Sequence, residues 1–492
     1  MDYLDPQKRF RQSVLMFVGY ALLAVGITCG TIILILLAYG FGLGKNGQVI
    51  QKGVVFVSSQ PSPAQINLNG KSIGSTTNTK LLLPAGQYTM QLLKSGYRTW
   101  QRSITVEGGD VQHFDYPLLF PQKLVTAPIH TFAAAPSVAS QSPDRRWLLV
   151  AQPTASGVFD LYDLAATAPE KTVQELALPA TTYTKASGTE SWQVVAWADD
   201  NQHVLIKHTV DSKVEFIELD RADVTQSVNL NSVLAVNAVD ISFKNQKFDQ
   251  FFLYNATDHT VQTDSLTTPT AAPYLTHVLA FQPYGGDTAL YVTDADVPTG
   301  HVEITMQVGA TTYPLRSVLS SSTYLLQAAS YNGPLYVVVG SSAENKVYIY
   351  KDPVGQINAH PDHAALAMRA MKIAAPSYLA FSATAQFVLT ENSASVVIYD
   401  LENSRSYTYT LHTPLDVPQT HVTWMDGDRL VYVSGGTLQV VDYDNSNAQG
   451  LMKSLPSYQP FFAPDFQHVY VLAPGTTAPA VDLTTTSLIA QP

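Results

Sequence analysis

One recurring unit constrains this chain more than any other feature. Between Gln141 and the C-terminus, an apolar strand runs into a polar turn eight times. A second apolar strand follows each turn, and a third closes near an acidic residue. The clearest copies are Ser142-Pro143-Asp144 before Trp147-Leu148-Leu149-Val150, and Ala463-Pro464-Asp465 before Val469-Tyr470-Val471-Leu472. The last residue before each turn gives the anchors Gln141, Trp197, Phe243, Phe281, Ala328, Phe381, Trp424 and Phe462. They are separated by 56, 46, 38, 47, 53, 43 and 38 residues. A unit of this kind cannot bury its own apolar face, so neighbouring copies must stack.

The spacing suits four-stranded blades of about 40–50 residues. It predicts a mainly β chain that ends in a β-propeller of eight blades, with seven as the alternative count. A strand near Lys123 to Ile129 is available to close the ring. Radial closure leaves few open sheet edges. That matters here because the only cysteine, Cys29, lies in an apolar run and no internal disulfide can form. The units resemble the WD40-like blades of TolB-type proteins, through Ser142-Pro143-Asp144, Phe381-Ser382, Trp424-Met425-Asp426-Gly427 and Phe462-Ala463-Pro464-Asp465. The resemblance implies architecture and leaves function open.

Val14 to Leu43 carries no charge over thirty residues. About 20 apolar residues cross a bilayer as a helix, whereas a cleavable leader has an apolar region of only about 7–15. The reading is an uncleaved signal anchor spanning 14–43, between a tail at 1–13 and a linker at 44–53. Lys8, Arg9 and Arg11 precede the span, and Lys45 and Lys52 follow it. That balance places the N-terminus in the cytoplasm and the bulk outside the cell membrane, facing the envelope.

Residues 54–116 read as a small β-sandwich of short strands punctuated by Gly and Pro. Asn69-Gly70 marks a hairpin. Four ordered stretches, Pro61-Ser62-Pro63-Ala64, Asn69-Gly70, Pro84-Ala85-Gly86-Gln87-Tyr88 and Gly96-Tyr97, resemble the PEGA domain. The resemblance implies an envelope-facing bacterial β-sandwich without catalytic residues. Residues 117–492 are then the propeller.

Charge narrows the partners. The chain carries −11 overall, yet its first 116 residues carry +5, so 117–492 carry −16. An acidic outer domain is the wrong surface for nucleic acid. Asn358-Ala359-His360-Pro361-Asp362-His363 offers two histidines around an aspartate, but no third metal ligand stands at a fixed spacing. It reads as a solvated loop within 351–373, with a short helical piece at Ala364 to Met371. No Gly-x-Ser-x-Gly, Walker A, Rossmann or Cys-x-x-Cys pattern is present. Asp163, Asp220, Asp400 and Asp442 recur after third strands, where a turn role explains them.

Catalytic, cofactor and metal residues are therefore all expected to be none, and binding residues stay unassigned. The sequence reading is a membrane-anchored binding scaffold whose loops meet a protein, peptide or envelope polymer. The alternatives are a propeller hydrolase or lyase acting on an envelope substrate, and a purely structural spacer.

Overall fold

The computed structural model describes residues 6–38, 41–43, 49–186, 188–211, 213–236, 240–393, 395–417 and 420–490. Two compact units divide after Lys123.

In the first unit a helix runs over Pro6–Ala38, and its Phe10–Leu36 stretch is long and apolar enough to cross a membrane. The helix starts well before Val14 because Gln7 to Gln12 are good helix formers and Pro6 suits a first helical position. Two of the expected segments differ in the structure. Phe41–Leu43, expected inside the span, forms a strand antiparallel to 49–51. The strand Val49–Val57 occupies half of the stretch expected as linker. Gly53 looks like linker in sequence but is a close-approach glycine. A Cβ there would meet Val106 Cγ1 at 2.5 Å and the Glu107 carbonyl at 2.6 Å. Residues 1–5 of the expected tail and 44–48 of the expected linker lie outside the described residues.

The sandwich pairs two sheets. One has the order Lys71–Thr76, Gln65–Leu68, Gly86–Leu93, Trp100–Val106; the other centres on Val49–Val57. Asn69 (φ 50°) and Gly70 (φ 75°) make the expected tight hairpin, both central residues taking positive φ. Val55, Ile66, Met90, Leu92 and Trp100 form its dry core. Leu119 N donates to the Gln60 carbonyl (2.7 Å) and Leu118, Leu119 and Phe120 are buried, so this unit continues beyond residue 116.

In the second unit the described residues form eight four-stranded antiparallel sheets. They occupy 139–177, 190–229, 240–276, 278–319, 324–372, 378–410, 423–453 and 461–487, the last completed by Thr126–Phe132. All eight anchor residues fall in the first strand of a sheet. Each strand runs antiparallel to the next, so a short polar turn is all that a connection needs.

The sheets close into a ring because each buries apolar side chains against the next. Phe159 meets Trp192 at the first seam, Phe216 meets Phe251 at the second, and Phe252 meets Tyr291 at the third. Leu290 with Val337, then Val338 with Val388, fill the fourth and fifth. Phe387 stacks on Tyr443 at 4.3 Å across the sixth. Leu455 N donates to Leu472 O (2.8 Å) at the seventh. Tyr162, Leu148, Tyr470 and Leu483 join the eighth sheet to the first. Closure is also covalently remote: Thr126–Phe132 pairs with Val481–Ser487, with Val481 opposite Phe132. A ring of radially packed four-stranded sheets is a β-propeller.

Candidate functional site

Two features of the ring position exposed groups: the turns joining first and second strands, and the long loop of the fifth sheet.

The turns are linked to one another around the ring. Asp144 N donates to Asn201 Oδ1 (3.0 Å), Asp199 N to the Gln246 carbonyl (2.9 Å) and Asn245 N to the Gly285 carbonyl (3.2 Å). Ala383 N reaches the Asp426 carbonyl at 3.4 Å. Arg145 spans the widest gap. Its Nη2 donates to the Met425 carbonyl of the seventh sheet (3.0 Å), while its guanidinium lies 4.2 Å from the Phe466 ring centroid of the eighth.

The recurring carboxylates are spent on backbone turns. Asp144 accepts from Arg146 N, Asp200 from Gln202 N, Asp426 from Asp428 N and Arg429 N, and Asp465 from Gln467 N, at 2.8–3.1 Å. At the ends of third strands, Asp163 accepts from Ala165 N, Asp220 from Ala222 N, and Asp400 from Glu402 N and Asn403 N. In the first two sheets the residue preceding the second strand adds a cross-link: Arg146 forks onto Asp163 at 2.8–3.2 Å, and Gln202 Nε2 reaches Asp220 Oδ1 at 2.9 Å. Burial works to raise Asp163, but the Arg146 hydrogen bond and the Ala165 amide hold it below the usual carboxylate range.

The fifth-sheet loop is the most built of the exposed segments. Its helix is Pro353–Ala359, started by Asp352, whose side chain accepts from Gly355 N (3.1 Å), and by Pro353. The helical piece therefore precedes the expected 364–371. That Ala-rich run has propensity but no cap, and its end, Arg369–Lys372, is drawn into the sheet as a fourth strand. Gln356 clamps the loop from inside. Its Nε2 donates to Lys351 O (2.8 Å) and Leu366 O (3.4 Å), and its Oε1 accepts from Leu366 N (2.9 Å). Ala365 is buried against the fourth seam, with Val354, Ile357 and Ala367 packed beside it. Between them Leu366 is held outward, 77% exposed, with Met368 at 39%.

The histidine pair of this loop is exposed. His360 and His363 have ring centroids 6.3 Å apart, and among the described residues no group of three His, Cys, Asp or Glu could hold a metal ion. A separate cleft of about 450 Å³ between the first and eighth sheets is lined by Thr167, Glu170, Asp465, His468 and Tyr470.

Sequence reasoning missed the buried ionisable groups at the seams. His208 is wholly buried, with Nδ1 2.7 Å from Glu215 Oε1, Nε2 2.8 Å from Glu190 Oε1, and its ring stacked 3.7 Å from Trp192. Burial works to raise Glu215, but the Thr184 amide, His208, the Thr184 hydroxyl and Asn229 together hold it low. Glu218, facing the second seam, is pushed up to about 8 by burial and by Asp220 and Asp200, and its Oε1 has no hydrogen-bond partner. Glu391 is buried and meets His421 Nδ1 at 2.7 Å and Val422 N at 3.1 Å. The available signal was an ionisable residue inside an otherwise apolar second or third strand.

Comparison with known proteins identifies one domain and finds distant likenesses for the rest. Residues 52–119 match the PEGA domain family, so the chain carries a PEGA domain. Among solved structures, an oligogalacturonate lyase in complex with manganese is similar at 10% identity and TM-score 0.36, over 75% of this chain and 98% of that one. A β-propeller domain from Myceliophteria thermophila is similar at 13% identity and TM-score 0.39, over 73% and 99%. An uncharacterized protein from Listeria monocytogenes is similar at 12% identity and TM-score 0.39, over 68% and 93%. No curated protein matches. The propeller assignment rests on the chain's own sheets and seams rather than on these distant likenesses.

Proposed function

We propose that this protein is a nonenzymatic, membrane-anchored binding scaffold whose propeller loops engage a protein partner in the cell envelope. In this reading the helix Phe10–Leu36 stays in the membrane, with the N-terminus cytoplasmic and the PEGA domain and propeller outside. The observation that carries the binding role is Leu366. A leucine left 77% exposed is ordinary on a floppy loop, but here both backbone groups of Leu366 are fixed by the Gln356 side chain. An apolar group already ordered costs little entropy to bind. Placement of the loop on a rigid ring fits the same role.

The test is capture by the full-length protein from solubilised host envelope, compared with Leu366→Asp. A discrete partner retained by the wild type and lost from Leu366→Asp, with thermal stability unchanged, supports the reading. Equal retention by both proteins, or retention no better than by a heat-unfolded control, overturns it.

A further inference from the structure

The PEGA unit leaves one sheet face uncovered. Val49–Val57 lies between Thr79–Pro84 on one side and Val111–Phe114 on the other, and alternate residues of all three strands point away from the sandwich core. Val55, Val57, Leu81 and Phe114 face inward and are buried. The outward set falls in rows fixed by register. Leu82, Val54 and Val111 form one row; Lys80, Phe56 and His113 form the next, with Phe56 and His113 stacked at 4.6 Å. Leu82 is 56% exposed and Val111 54%. Lys52 lies on the same face at the end from which the strand starts, and Asp115 at the other end, where Ser58 Oγ donates to it (3.1 Å) and His113 Nδ1 lies 3.6 Å away.

This face combines exposed aliphatic side chains, a flat aromatic pair and lysines. Phenylalanine and aliphatic groups favour the boundary between headgroups and acyl chains, and lysines favour anionic lipid. Chain continuity supplies the occupant. The apolar helix ends at Ala38, and Phe41–Leu43 already pairs with the first residues of Val49–Val57. Two residues separate the helix from this sheet, a reach of roughly 10 Å at most. A helix inserted in a bilayer therefore holds the sheet at the membrane surface. On the sheet's own side of the membrane, residues 44–116 carry seven basic and three acidic groups, a net +4, against −16 for residues 117–492.

We infer that the outer face formed by Lys52, Val54, Phe56, Lys80, Leu82 and Val111 docks on the anionic lipid surface of the membrane that its own helix spans. The inference rests on reading Phe10–Leu36 as a retained anchor. Docking at three rows of one sheet orients the PEGA domain on the bilayer instead of leaving it tethered by a single strand.

The experiment uses the full chain, spin-labelled and reconstituted in phosphatidylcholine vesicles with or without about one third phosphatidylglycerol. One label goes on native Cys29, within the helix, and another on Leu82→Cys in a Cys29→Ser background. Oxygen and nickel-chelate accessibilities report depth. The expected result is a Leu82 label at interfacial depth in the anionic vesicles and in water in the neutral ones. Lys52→Glu with Lys80→Glu should return it to water, with docking weakened about fivefold per lysine at low salt. A Leu82 label in water in both vesicles, beside a Cys29 label deep in the bilayer, overturns the inference and leaves the anchor intact. So does a Leu82 label shielded from oxygen and nickel alike, which would mean a protein contact. A Cys29 label in water removes the anchor reading, and this inference with it.

Discussion

Arg145 Nη2 donates to the carbonyl of Met425 at 3.0 Å, tying the first sheet's turn to the seventh's across the eighth. The ring's closing strands are distant in sequence, and this side chain adds to the packed core and the Thr126–Phe132 strand that join them. Its Nη1 is buried without a hydrogen-bond partner, and burial works to lower the guanidinium while Asp426 supports its charge.

Arg145→Ala is expected to cost about 2 kcal/mol, from one charge-assisted hydrogen bond and the cation–π contact with Phe466. Thermal unfolding measures the loss. Hydrogen exchange should rise first in the turns at 425–428 and 463–467. Unchanged exchange there would mean that Arg145 does not hold the junction.

Glu218 gives a pH signature. Its folded carboxyl titrates at about 8, against an ordinary value of 4.5 when unfolded. Between those values the folded state keeps a proton that the unfolded state has released, so this group's contribution falls as pH rises from about 5 to 8 and is level above. A tenfold change in proton affinity is worth about 1.4 kcal/mol, so the whole effect amounts to a few kcal/mol at most. Glu218→Gln keeps the shape without the titration. Denaturant midpoints should show it more stable than wild type at pH 8, with little difference at pH 4.5.

His208 stands between two carboxylates, and its removal leaves both without their common partner. His208→Ala is expected to cost about 3–5 kcal/mol. Glu215→Gln in that background should restore part of the loss, with a coupling of about 0.5–3 kcal/mol in a double-mutant cycle. Strict additivity of the two substitutions would contradict a direct pairing.

The repeat was legible because each blade writes its own turn. Gln141, Trp197, Phe243 and the other anchors mark first strands through turn chemistry and apolar runs that need no tertiary information. A closing strand is expected near Lys123 to Ile129, and the strand that closes the ring is Thr126–Phe132. Polar positions within blades were not legible. Strand alternation ordinarily puts a polar face in water, but a propeller blade packs both faces against neighbours, so His208, Glu215, Glu218 and Glu391 are interior. The helix of the fifth-sheet loop was misplaced because composition favoured Ala364 to Met371, while the cap at Asp352-Pro353 decides where a short helix starts. Gly53 misled in the same way: a glycine reads as loop, and only the facing Val106 side chain shows why it sits in a strand. The Gln356 clamp on Leu366 joins residues ten apart through a folded loop, and no sequence pattern announces it.

If Leu366 is a preformed contact for an envelope protein, that partner lies within crosslinking reach of its side chain. The direct measurement places a photo-crosslinking amino acid at position 366 of the full-length protein in living host cells, with Asp296, on another loop of the ring, as the comparison position. One discrete adduct from position 366, absent from position 296 and lost when Gln356→Ala frees the loop, is the predicted result. Equal and diffuse labelling from both positions would contradict the claim.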